Sequence, residues 1–181
     1  MQISFTPAFA ERLRADLQLG DHQMHNPHGG GNTYVLERAL DEDLLLTSVG
    51  WANSYYQGEE EYVDEWGVGW RAHPYTTPFG VGHYTEIVGH PLAEDDAIDR
   101  YTPPDPHRPE LYCDAERVIR EYGGEYWIVG VTVTTMFETA WALRGYEQML
   151  MDLVVDPDLA ERILEIPYRY HLAAAQKLVE L

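Results

Sequence analysis

The chain has 181 residues, enough for one domain that hides roughly 70% of the surface its unfolded form exposes, and 45% hydrophobic with 24% charged residues is ordinary for a globular protein. No apolar run approaches the roughly 20 residues needed to span a bilayer, so the composition excludes membrane insertion. With 31 acidic residues against 12 basic ones, the net charge of −19 repels phosphate backbones and excludes nucleic acid as a partner.

The opening Met-Gln-Ile-Ser-Phe-Thr-Pro lacks the basic and then apolar stretches of a secretory signal, and Cys113 is the only cysteine. A reducing cytoplasm is the expected location. Pro7 to Leu17 places Phe9, Leu13 and Leu17 at helical spacing behind a Thr6-Pro7 start, which predicts a short surface helix. Gly20 to Asn32, with three histidines, a proline and Gly29-Gly30-Gly31, reads as a loop before a helix at about Thr33 to Leu40. Leu44 to Ser48 fits a short buried strand as well as a helix end, and we assign it as strand.

From Trp51 to Pro109 the chain is dense in aromatics, glycine and proline, a stretch too long to be a structureless connection. It is expected to be functional or filled by short hairpins. Asp114 is a candidate cap for a helix with Ala115, Val118, Ile119 and Tyr122 on one face, ended by Gly123-Gly124. Tyr126 to Val133 is short, apolar and β-branched, and it follows that helix after only a glycine turn, as in the αβ half of a parallel unit. Beyond Thr134-Thr135 one long amphipathic helix is predicted through Trp141, Met149, Leu150 and Leu153. Asp156-Pro157 then caps another, with a kink expected near Pro167.

This element order predicts an α/β fold with a parallel sheet covered by helices, either doubly wound or closed as a barrel. A complete parallel barrel takes about 250 residues, so the chain reads as a single domain over residues 1–181 that is interrupted.

Several constellations could carry chemistry. His22, His25 and His28 with Asp21 could bind a metal, but Pro27 and the glycines argue for a polar loop, and no metal ligand is assigned. Cys113 stands alone and reads as a small packing residue. Glu59, Glu60, Glu61, Asp64 and Glu65 run into Trp66-Gly67-Val68-Gly69-Trp70-Arg71. Arg71 could grip a carboxylate, Trp66 could line a pocket, and Asp64 or Glu65 could act as acid or base if burial raised its pKa. The bland alternatives are a solvated acidic turn and an arginine that bridges two segments. Glu86 and His90 stand four apart and form either a catalytic pair or a structural turn. Thr134, Thr135, Phe137, Glu138 and Trp141 follow the strong strand, where loops of parallel folds build sites.

The phrases Glu60-Glu61-Tyr62-Val63-Asp64-Glu65-Trp66-Gly67, His90-Pro91-Leu92-Ala93, Tyr101-Thr102-Pro103-Pro104-Asp105-Pro106, Phe137-Glu138-Thr139-Ala140-Trp141, Leu143-Arg144-Gly145-Tyr146 and Leu150-Met151-Asp152-Leu153 occur in an order that resembles the uroporphyrinogen decarboxylase-like superfamily. The resemblance implies a (β/α)8 TIM barrel, of which this chain would be the front and middle βα units. It implies either cofactor-free decarboxylation of tetrapyrrole acetate arms or corrinoid-dependent methyl transfer, often with zinc. Arg71 and Arg144 would bind anions, Asp64 and Glu86 would be acid or base, and His90 a polar group. Trp66, Phe137 and Trp141 would contact substrate. The arginine-rich stretch and the pyrrole-binding aspartate of the true decarboxylases have no counterpart here, and Trp141 falls where those enzymes place a tyrosine. Zinc ligands would lie beyond Leu181. Partners would be a tetrapyrrole or corrinoid-linked small molecule, or a dimer partner. The alternative is a non-catalytic half-barrel that pairs with a second polypeptide.

Overall fold

The computed structural model describes residues 5, 7–20, 33–49, 60–78, 80–132 and 136–181. The order is α1 (Pro7–Asp16), α2 (Val35–Ala39), β1 (Leu44–Ser48), β2 (Glu61–Val63), β3 (Gly69–Thr77), β4 (Gly80–Gly89), α3 (Cys113–Tyr122), β5 (Trp127–Val131), α4 (Met136–Arg144), α5 (Tyr146–Val155) and α6 (Pro157–Glu180), with 3-10 turns at Asp95–Arg100 and Pro109–Leu111. The chain is α/β, as its patterning predicts.

The parallel relationship expected for the strong strand is present. β5 pairs with β1 from Leu44↔Trp127 to Ser48↔Val131, and α3 lies in the crossover between them. Register partners point to the same side, so Leu45 and Ile128 share one face, covered by Val118 of α3 together with Tyr34 and Tyr122. Gly130 on that face lets α6 approach, since a Cβ there would sit 3.3 Å from Leu178. The opposite face is barer. Trp127 is 79% exposed and Val129 39%, so the burial on both faces that an apolar parallel strand normally implies is absent at β5 among the described residues.

The aromatic stretch resolves, as the hairpin expectation has it, into a second sheet, an antiparallel meander in the order β2-β3-β4. Its first turn is built by Asp64, whose Oδ1 accepts from the backbone N–H groups of Trp66 at 2.9 Å and Val68 at 3.0 Å, while Gly67 takes φ 78°. Gly69 and Gly89 face each other across β3 and β4, where a Cβ on Gly69 would meet the Gly89 nitrogen at 3.2 Å.

The main core joins the two halves. Trp66, Val68, Leu92 and Ile98 from the meander side pack against Ala140, Leu143, Met149, Ala160, Ile163 and Tyr170 from α4 to α6. Two local expectations are corrected. The helix after β5 is two helices, because Gly145 at φ 98° breaks it and His90 fills the corner. Asp114 lies in the first turn of α3, where it pairs with Arg117 at 2.8 Å, and not at the cap. Pro167 is buried inside α6, which continues as helix on both sides of it. Asp156 caps α6 as expected, accepting from the Leu159 N–H at 3.1 Å. Among the described residues no helix is long and apolar enough to cross a membrane.

Candidate functional site

The turn between β2 and β3 places Asp64 and Glu65 side by side, yet their surroundings differ. Asp64 is saturated. Besides its two backbone bonds it accepts from Trp70 Nε1 at 2.8 Å; burial raises its pKa, and these hydrogen bonds offset only part of that rise. Its job is to build the turn.

Glu65 points the other way, into the space between the turn and α6. It pairs with Arg108 through Oε2, while Oε1 is buried without a partner. Burial raises its pKa first, Arg108 lowers it, and the neighbouring Asp64 raises it again. The net shift is upward. A buried carboxyl with one free oxygen is suited to proton transfer in a way that a fully bonded one is not.

Around this pair stands a polar cluster set in the main core. Tyr170 packs edge-on against Trp66 with centroids 4.8 Å apart, and His171 stacks on Trp66 at 6.3 Å while its Nε2 lies 3.4 Å from Thr139 Oγ1. Tyr101 donates to the Trp66 carbonyl at 2.9 Å. Burial raises the pKa of both Tyr101 and Tyr170, and the negative field of Glu65 adds to it. Trp66 Nε1 is buried without a completed hydrogen bond, which with Glu65 Oε1 makes two open polar positions in one neighbourhood, while the Tyr170 hydroxyl faces Arg108. Val49, directly after β1, packs with Ala174, one helical turn beyond Tyr170 and His171, so the cluster adjoins the carboxyl end of the parallel pair. Outside it, the segment from Tyr101 to His107 and α6 border an open cleft of about 440 Å³.

The residues singled out from sequence fall in four places. Trp66 and Asp64 belong to the turn. Arg71 and Glu86 lie on the exposed sheet face, where Arg71 bridges Glu61 at 2.8 Å and Glu86 at 3.4 Å and His73 meets Glu86 at 3.0 Å. The hydrogen bond from His73 and the charge of Arg71 hold Glu86 below the usual carboxylate range, which suits a cross-strand ladder better than a base. Arg144 is spent on structure, donating to Asp152 at 2.7 Å, Asp95 at 2.6 Å and the carbonyls of Leu92 and Ala93, so it has little left for a ligand. His90 meets the Ala142 carbonyl through Nδ1 at 2.8 Å, against the corner at Gly145. Phe137 is exposed on the first turn of α4, and Trp141 packs edge-on with Tyr146 at 5.7 Å.

Sequence reasoning missed Arg108, Tyr170 and His171, which come from distant segments and carry no local motif. Asp21, His22, His25, His28, Glu59, Thr134 and Thr135 lie outside the described residues. Among the described residues no three of His, Cys, Asp or Glu stand together as a metal site, so the side chains in view do not form a zinc centre. Comparison with known proteins adds no relative, for no family model, curated protein or solved structure matches the chain.

Proposed function

We propose that the chain is part of a uroporphyrinogen decarboxylase-like enzyme, built on a (β/α)8 barrel and acting on tetrapyrrole carboxylates or on a corrinoid-linked methyl group. The observation that carries this reading is convergence. The phrases behind the resemblance are scattered from Glu60 to Leu153, and they meet in one packed unit. Leu92 N–H donates to the Leu143 carbonyl at 2.9 Å, Arg144 ties Leu92 and Ala93 to Asp152, and Tyr101 joins the turn at Trp66.

The parallel pair supports the barrel. One face is covered by α3 and the end of α6 and the other is bare and apolar, as in a barrel wall with helices outside and side chains filling the interior. Within this reading the acid role passes from Asp64 to Glu65. Decarboxylation leaves a carbon that must take up a proton, and a carboxyl whose pKa burial raises is suited to carry that proton and deliver it beside the Arg108 charge. This branch needs no cofactor. Methyl transfer would draw zinc from ligands outside the described residues, and no step is assigned to it. The exposed free Cys113 suits a cytoplasmic location.

A second reading, a half-barrel that pairs with another polypeptide, is favoured by the exposure of Trp127 and Val129 on β5. The two are separated by turnover. The complete protein is given uroporphyrinogen in one assay and methylated corrinoid with a thiol in another. Product in either supports the enzyme, and silence in both, with strict co-purification of a second chain, leaves only the pairing module.

A further inference from the structure

We propose that the cleft between the Tyr101–His107 segment and α6 binds a flat, ring-bearing dianion, an aromatic or alicyclic dicarboxylate. The proposal goes beyond the decarboxylase-like reading and does not depend on it. At about 440 Å³ the cleft falls within the range of small-molecule sites, roughly 300–1,000 Å³. Its walls are stiff and apolar, with Pro103, Pro104 and Pro106 on one side and Ile166 and Ala173 on the other. Such a slot accepts a planar ring at little entropic cost, since proline has few conformations to lose.

The polar groups are unusual for this chain. Although acidic residues outnumber basic ones 31 to 12, Arg162, Arg169 and His107 line the cleft, with Glu165 the acidic side chain among them. Arg162 and Arg169 are seven positions apart on α6, which places them near one face and roughly 10 Å apart along the axis at 1.5 Å per residue. Each guanidinium has donors to spare. Among the described residues Arg162 donates through one Nη to Asp99, and Arg169 through Nε to Glu165 at 2.7 Å. Exposed pairs of this kind are weak and exchange readily, so an incoming carboxylate can take their place. Two cations separated by an apolar slot fit two anionic groups on one ring system. Inorganic phosphate reaches one cation only and leaves the slot wet.

The test is isothermal titration of the intact chain at low salt with four probes, a biphenyl bearing a carboxylate at each end, its monocarboxylate, its uncharged diol and inorganic phosphate. The dicarboxylate is expected to bind saturably at one site, about tenfold more tightly than the monocarboxylate. Arg162→Gln and Arg169→Gln, both at exposed positions, should each cost about fivefold or more in affinity while circular dichroism melts stay unchanged. Absence of saturable heat, equal binding of the diol or of phosphate, or full affinity in both arginine variants would overturn the proposal.

Discussion

Arg144 and Asp152 face each other across the break between α4 and α5, Nε to Oδ2 at 2.7 Å, with only 2% and 6% of their side chains exposed. Gln148 supplies a second bond to Asp152 at 2.7 Å, and Arg144 reaches on to Asp95 and two carbonyls. One side chain thus ties α4, α5 and the segment after β4 together. Removing either partner strands a buried charge, so Arg144→Ala and Asp152→Ala should each cost about 3 kcal/mol or more. Urea unfolding should show a lower midpoint with an unchanged slope.

Two carboxyls should give opposite pH dependences. Burial works against the charge on Asp152, but Arg144 and Gln148 outweigh it and hold its pKa below the ordinary 3.8. Its contribution to stability is therefore present above that value and disappears as pH falls through the lower folded pKa. Glu65 has its pKa raised above 4.5, so its contribution is complete below that value and is lost as pH rises through the folded pKa. Unfolding measured across this range should show a shallower acid loss in Asp152→Asn and a smaller decline towards neutrality in Glu65→Gln. Carbon NMR should find Glu65 titrating above 4.5, and higher still in Arg108→Gln, which removes the charge that opposes the shift.

Gly145 holds φ 98°, a conformation that side chains rarely adopt, and a Cβ there would also touch the His90 ring at 3.6 Å. Gly145→Ala should cost about 1–3 kcal/mol through backbone strain. A thermal melt checks the loss. A melt unchanged from the parent would mean that α4 and α5 do not need this corner.

The helices, the strand at Leu44–Ser48 and the parallel pairing were legible because apolar spacing, the Asp156-Pro157 start and a glycine turn before β5 are local signals. The antiparallel meander was legible only as short hairpins, without strand positions or register. Its stability rests on cross-strand partners such as Glu61, Arg71 and Glu86, and pairing over 10 to 15 positions leaves no local period. The break at Gly145 was hidden because Arg144 and Tyr146 continue a helical pattern, and only His90 from another segment explains the corner. Glu65 was visible as a candidate, whereas its distinction from Asp64 was not, since it depends on Arg108, 43 positions away.

The bare side of the parallel pair makes a prediction about association. Trp127 and Val129 are register partners of Leu44 and Leu46 and share their face. Trp127→Ser with Val129→Thr should lower any concentration-dependent association seen by sedimentation velocity and leave the helical signal intact. Unaltered association would place the contact elsewhere.

Glu65 is the residue on which the enzymatic account depends, because among the described residues it alone combines a raised pKa, a cationic partner and an open oxygen. The most direct measurement is kcat of Glu65→Gln in the complete protein, with whichever of uroporphyrinogen or methylated corrinoid is turned over. Loss of about a hundredfold or more, with the fold intact by circular dichroism, is the predicted result. Undiminished kcat in that variant would contradict the account.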